Sequence, residues 1–306
     1  MSLIWDTRAK QKKSSRTTRD LGSLRISNLH AAQSNRRMMR TFANCPKIPM
    51  TTPISPLATP VFSTHSSLDY NGSLADHAVH LWLLDINQFT ADHYAKAGQV
   101  MSSDERERAQ KFIRGKEMYI ASRWLLRTVL ARYTGVTANQ VRFLRTEKGK
   151  PYLPQGDIHF SLSHSGHWAL LAVAKTELLG VDIEEINTTR DLLSIAENYY
   201  HPQEFAYLQT LDHAAKSEHF YRFWTLKEAF FKAIGAGISA GLEKIQFDLA
   251  GDTINAQIAP SLGDNTNEWQ FYQWALTAQD YCALASKSRD PLEVIWFDVL
   301  STPAFP

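Results

Sequence analysis

Apolar and polar positions alternate along most of the chain from Ala78 onward, and two periods dominate. AVHLWLLDI, DIHFSLSH, WALLAVAK and GVDIEEI are short apolar-rich or alternating runs that predict strands; VRFLRT predicts another. DIHFSLSH and WALLAVAK are separated by a Ser165-Gly166 turn signal. EMYIASRWLLRTVLARY, Glu117 to Tyr133, carries Ile120, Leu125, Val129 and Leu130 toward one side and predicts an amphipathic helix stopped by Gly135. A shorter helix starts at SSDERERAQKF, with Ser102 or Ser103 as cap and acids in the first turn. Pro202 suits the first turn of a helix over 202–211, and a longer helix covers about 217–234. From 245 on, KIQFDLAGDTINAQIA predicts a hairpin turning at Gly251-Asp252, followed by strands in WQFYQWALT, YCALASK and VIWFDVL. Strands and one dominant helix recur in each half, which predicts a duplicated α+β plan.

Residues 1–75 break this pattern. They are rich in Ser, Thr, Arg and Pro, hold no sustained period, and predict a mostly disordered tail. They carry eleven Lys or Arg against Asp6, Asp20 and Asp69, whereas the remainder carries 22 basic and 28 acidic groups. The net charge of +2 therefore hides a basic tail on an acidic body. A nucleic-acid binder would carry its positive charge on the folded part, so no nucleic-acid partner is expected. The tail's composition equally fits an organelle transit peptide or a start codon placed upstream of Met38, Met39 or Met50. No apolar run approaches a membrane span, and two cysteines, Cys45 and Cys282, make neither a disulfide framework nor a zinc site. A cytoplasmic protein with no membrane partner is the expectation.

GVDIEE sets a physical puzzle. With Val181 and Ile183 turned to a core, Asp182 and Glu184 share the other strand face roughly 7 Å apart and repel each other. In FWTLKEAFFKA, Phe223 to Ala233, the spacing of four puts Trp224, Glu228 and Lys232 on one helix face, with Lys227 at a neighbouring angle. Taken alone, these are a solvated strand face and a surface ion pair. Placed side by side, Glu228 makes a third carboxylate, and three hard oxygen donors without His or Cys suit Mg²⁺. Lys150, Lys227 and Lys232 would then hold phosphate oxygens. HFSLSHSG, His159 to Gly166, is no serine-hydrolase motif: neighbouring Ser163 and His164 point to opposite faces, and no G-x-S-x-G is present. No Walker loop or G-x-G-x-x-G occurs either.

These motifs, in the order GKP (149–151), HFSLSHSG, GVDIEE and W-T-L-K-E-A-F-F-K, resemble those of the Sfp-type 4′-phosphopantetheinyl transferases over about residues 78–300. The resemblance implies an α+β fold: a pseudo-two-fold pair of similar subdomains, each an antiparallel sheet with a long helix, with the active site in the cleft between them. It places one subdomain at 78–179 and a second, with the metal site, at 180–306; the disordered basic N-terminal extension, 1–77, is read from composition and lies outside the resemblance. It implies Asp182, Glu184 and Glu228 as Mg²⁺ ligands, Glu228 also as a general base, and Asp182, Glu228 and Lys232 as the catalytic group. Coenzyme A, the co-substrate, would be held by Arg108, Arg123, Lys150, Ser163, His164, Lys227 and Lys232. Trp224 would pack, and Glu204 matches the family's acidic residue after Pro202. The implied reaction moves phosphopantetheine from coenzyme A to a serine of an apo acyl or peptidyl carrier protein, releasing 3′,5′-ADP, in a monomer. A noncatalytic module that binds carrier proteins and a Mg²⁺-dependent nucleotide phosphohydrolase are the rival expectations.

Overall fold

The computed structural model describes residues 57–63, 74–154, 156–250, 253–263 and 266–301. The described residues form eleven strands and six α-helices, two of them long. β1 (Ala78–Asp85) is followed by α1 (Ala91–Val100), α2 (Ser103–Gln110) and the long α3 (Lys116–Thr134). Two-residue strands β2 (Leu144–Arg145) and β3 (Pro151–Tyr152) precede β4 (His159–Ser165), β5 (Trp168–Ala174) and β6 (Leu179–Glu185). Helices α4 (Leu192–Tyr199), α5 (Pro202–Thr210) and the long α6 (His213–Ala233) come next. β7 (Ile245–Asp248), β8 (Asn255–Ile258), β9 (Trp269–Ala275), β10 (Asp280–Lys287) and β11 (Glu293–Asp298) complete the order.

Local chemistry explains the main boundaries. Ser102 and Glu105 exchange side-chain-to-backbone bonds in a capping box that starts α2. Gly135 ends α3 in the left-handed region at φ 68°, where a side chain would be strained. Pro202 opens α5 at a position whose N–H would lack a helical partner anyway. VRFLRT yields only the two-residue β2, and helices α1 and α4 arise in stretches the periodicity left unassigned. The 245–258 hairpin forms as an antiparallel β7–β8 pair, while its turn at Gly251-Asp252 lies outside the described residues.

Two sheets share a core. The first runs β11-β1-β5-β4 and the second β6-β10-β9. β1 sends Trp82 and Leu84 toward Trp124, Leu125 and Val129 of α3, and Val79, Leu81 and Leu83 toward Val181, Ile183, Cys282 and Leu284 of the second sheet. Each sheet thus packs one face on its neighbour and the other under a long helix, matching the expected α+β class with paired sheets. The first sheet is not wholly antiparallel: β11 pairs with β1 in parallel. The C-terminal half therefore supplies an edge strand to the N-terminal sheet.

Order also begins before Ala78. Within the stretch expected to be a disordered tail, Ala58 bridges Trp274 on β9 and Phe62 bridges Trp296 on β11. Ala275 N–H donates to Ala58 O, and Ser63 N–H to Trp296 O. Residues 57–63 thereby cover the outer edges of both sheets, which would otherwise present unpaired groups. The rest of the basic extension, 1–56 and 64–73, lies outside the described residues, as does Cys45. Among the described residues no helix is long and apolar enough to cross a membrane.

Candidate active site

The site is built where β6 lies beneath α6. Gly180 permits the approach: a Cβ there would stand 2.0 Å from Ala229 O and 2.5 Å from Ala233 N. Helix and strand therefore meet backbone to backbone, and Asp182 and Glu184 face α6 in the next two outward positions. They are 0% and 1% exposed, so they are no solvated strand face. Glu228 and Lys232 of α6 are buried as well, which removes the surface-ion-pair reading.

Lys232 does not pair with Glu228. Its ammonium donates to Asp182 Oδ1 at 2.6 Å and to Ser163 Oγ at 2.7 Å. Ser163 in turn donates to Asp182 Oδ1 at 2.8 Å, and Ser165 donates to Glu184 Oε2 at 3.1 Å. Two carboxylate oxygens, Asp182 Oδ2 and Glu228 Oε2, are buried with no hydrogen-bond donor. Burial pushes the Asp182 carboxyl up to about 6, with Glu184 adding repulsion and Lys232 opposing it. Burial and then the Asp182 charge hold Glu228 well above the usual carboxylate range, again against Lys232. The strand and helix carboxylates therefore feel each other across the interface, and the one ammonium among them bonds Asp182 alone of the three. Among the described residues, no three or more His, Cys, Asp or Glu side chains are already gathered so that they could hold a metal ion, Asp182, Glu184 and Glu228 included. What is present is a hard-oxygen donor set with two undonated oxygens, and that chemistry fits a small divalent cation such as Mg²⁺.

A basic group stands on the first half. Arg108, in the last turn of α2, and Arg123 on α3 lie 5.9 and 5.6 Å from the Tyr119 ring centroid. Both are over the ring within cation–π range. Arg123 Nε is buried without an acceptor, and burial lowers its guanidinium despite the nearby Glu105. Arg145 acts on the same Tyr119 and donates to Gly149 O at 2.9 Å. His164 lies in the fields of Lys232 and Arg123, and burial first, then those charges, push its ring down to about 4. It is neutral at pH 7 and can donate or accept one hydrogen bond.

Of the expected phosphate ligands, Lys227 is placed elsewhere and Lys150 is partly engaged. Lys227 is fully buried, and its ammonium is spent on Glu204 Oε2 at 2.7 Å, on Leu242 O and on Ile245 O. With all three N–H groups engaged in the core, it cannot reach a phosphate: spacing put it near Glu228, but α6 is buried all round from Phe220 to Ala233 and turns Lys227 to α5 and β7. Its partner Glu204 also accepts from His201 N–H and Phe247 N–H. Lys150 donates to Ala233 O at 2.7 Å and Leu179 O at 3.4 Å. It caps the C-terminal end of α6 and the start of β6, where a cation meets the negative end of the helix. Burial lowers it to about 8, so it remains largely charged at neutral pH with one N–H to offer. Trp224 packs as expected, stacked on Phe220 at 5.8 Å. The sequence reading missed Tyr119, Arg145 and Ser165; the four-residue step from Tyr119 to Arg123 was the available signal for the first.

Known proteins align with this arrangement in two blocks. A family model described as 4′-phosphopantetheinyl transferase, N-terminal, matches residues 88–176, and one described as the 4′-phosphopantetheinyl transferase superfamily matches 178–285. The chain is 36% identical over 198 residues to the 4′-phosphopantetheinyl transferase HetI of a Nostoc species, covering 62% of this chain and 83% of that one. It is 32% identical over 155 residues to a 4′-phosphopantetheinyl transferase of Bacillus subtilis, covering 50% and 68% respectively. It is 28% identical over 229 residues to the human L-aminoadipate-semialdehyde dehydrogenase-phosphopantetheinyl transferase, covering 68% and 70%.

Proposed function

The chain belongs to the 4′-phosphopantetheinyl transferase family, and from that premise we infer how its residues divide the work. The enzyme takes coenzyme A as substrate and transfers the phosphopantetheine moiety to carrier proteins. The observation that carries the site assignment is the burial of Asp182, Glu184 and Glu228 together, with one ammonium on Asp182 and two carboxylate oxygens lacking donors. Those three carboxylates would hold Mg²⁺. When bound, that ion supplies charge neutralisation for the coenzyme's pyrophosphate.

The remaining chemistry belongs to the chain. Lys232 would turn from Asp182 to a pyrophosphate oxygen and stabilise charge as the leaving oxygen departs. Glu228 Oε2 would take the proton of the carrier serine as its oxygen attacks the β-phosphorus, a contribution of roughly 10²–10⁴-fold. The new bond joins serine Oγ to that phosphorus, and the bond from it to the bridging oxygen breaks, releasing 3′,5′-ADP. Arg108 and Arg123, paired with Tyr119, would grip the coenzyme's 3′-phosphate, with Ser163, His164 and the remaining N–H of Lys150 alongside. The site thus straddles the seam between subdomains 78–179 and 180–306. We place the enzyme in the cytoplasm as a monomer acting on an apo acyl or peptidyl carrier domain: a buried free thiol at Cys282 suits a reducing compartment.

One experiment tests this. The chain is incubated with coenzyme A and an apo carrier protein, with Mg²⁺ or with EDTA, and the acceptor is weighed by mass spectrometry. The acceptor is expected to gain one phosphopantetheine in Mg²⁺ alone, and Glu228→Gln is expected to abolish the gain. Equal gain in EDTA overturns the metal assignment. Coenzyme A consumed without acceptor gain points to a phosphohydrolase, and no consumption to a binding module.

A further inference from the structure

β4 and β6 are the facing edges of the two sheets, and their backbones do not pair. Side chains bridge them instead. Ser161, Ser163 and Ser165 occupy alternate positions on β4 and so share one face. Each hydroxyl accepts a backbone N–H from β6: Val181 at 3.1 Å, Ile183 at 3.4 Å and Glu185 at 3.2 Å. A hydroxyl that accepts still has its proton to give. Ser163 gives it to Asp182 and Ser165 to Glu184, in each case the residue just before the one whose N–H it accepts. At the third step the corresponding residue is Gly180, which has no side chain, so Ser161 makes the seam contact alone.

We propose that Ser165 is a positioning residue for Glu184, and that this serine row is a jig which fixes the carboxylates of β6 before a cation arrives. The inference rests on the metal reading above. A carboxylate with one oxygen held by a hydroxyl has fewer orientations to lose when the ion binds, and partners of this kind set metal affinity without touching the metal. The same row fastens β6 to the half that carries Arg108 and Arg123, so the acid group and the basic group are held in one register.

The test is calorimetric titration of Mg²⁺ into the full chain saturated with coenzyme A, compared across Ser165→Thr, Ser165→Val and Ser161→Ala. Thr and Val are close in shape and both suit a strand, so they differ chiefly in the hydroxyl. Ser165→Thr is expected to keep wild-type Mg²⁺ affinity and Ser165→Val to lose roughly 10- to 100-fold, with coenzyme A binding in EDTA unchanged in both. Ser161→Ala is expected to lower the melting temperature but not the Mg²⁺ affinity. The proposal is overturned if Ser165→Val binds Mg²⁺ as wild type does, or if Ser161→Ala weakens binding as much, since the seam would then be merely structural. A wild-type chain that takes up no Mg²⁺ instead overturns the metal reading on which this rests.

Discussion

Lys232 sets its ammonium 2.6 Å from Asp182 Oδ1 with both side chains buried, Lys232 at 3% and Asp182 at 0% exposure. The pair joins α6 to β6 at the centre of the acid cluster. Removing one member of a buried ion pair costs roughly 3–5 kcal/mol, because the other charge is stranded away from water. Lys232→Met is therefore expected to destabilise the protein by about that amount in urea denaturation with EDTA. Mg²⁺ should restore more stability to this variant than it adds to wild type, since the ion would supply the missing positive charge. Equal urea midpoints for variant and wild type would show that the ammonium is not needed there.

Glu228 should behave in the opposite way. Its Oε2 has no donor, and burial beside Asp182 disfavours its charged form. Glu228→Gln relieves that repulsion, so the metal-free protein is expected to gain on the order of 1 kcal/mol while transfer is lost, as active-site strain commonly trades against stability. Thermal melts in EDTA at pH 7.0 check it, about one unit above the Asp182 value. A Glu228→Gln protein that melts lower than wild type would mean the carboxylate is better satisfied than its geometry indicates.

Lys227 and Glu204 make a second buried pair, 2.7 Å apart and both 0% exposed, which serves the fold rather than the substrate. Lys227→Met alone should cost roughly 3–5 kcal/mol, and the double change Lys227→Met with Glu204→Gln should recover part of that loss. Coenzyme A affinity of the folded double variant, measured by calorimetry, is expected to match wild type. A clear drop would return Lys227 to the binding site.

The contrast between these lysines shows what the sequence can and cannot convey. Asp182 and Glu184 were legible because strand side chains alternate, and Glu228 with Lys232 because helical neighbours recur every four residues. Lys227 was not, because nearly every residue of α6 from Phe220 to Ala233 is buried, so no apolar stripe marks which way a lysine turns. Lys150 binding the end of α6 depends on contacts 83 residues apart. Parallel pairing of β11 with β1 and the serine seam are equally long-range. Local periodicity assigns the elements but not which sheet a strand will join.

Acid should weaken the fold through His80. Its ring is buried, with Nδ1 2.7 Å from the Tyr133 hydroxyl, and burial lowers it from 6.5 to about 4. The folded value lies below the unfolded one, so the unfolded chain binds the proton more readily between those values. Stability contributed by the neutral ring is present above about pH 6.5 and is lost as pH falls toward 4. His201, lowered to about 4 by burial and then Lys227, adds in the same direction. Urea midpoints should fall between pH 7 and pH 5, and His80→Gln should flatten the slope by up to about 1.4 kcal/mol per pH unit. An unchanged slope would remove His80 from the acid response.

Gly180→Ala tests whether the site depends on backbone contact between strand and helix. The added Cβ would meet Ala229 O at 2.0 Å and Ala233 N at 2.5 Å, and neither atom belongs to a side chain that could rotate away. The helix must move off β6. It carries Glu228 and Lys232, so the movement separates them from Asp182 and Glu184 and draws Ala233 O away from Lys150. Overpacking of this kind costs typically about 1–3 kcal/mol. Transfer should fall further than that loss of stability implies, because positioning within about 1 Å governs how such a group acts. The measurement is turnover with apo carrier protein at a temperature where the melt shows the variant fully folded. If Gly180→Ala retains wild-type melting and turnover, α6 does not need to lie against β6, and the acid cluster is not the catalytic centre.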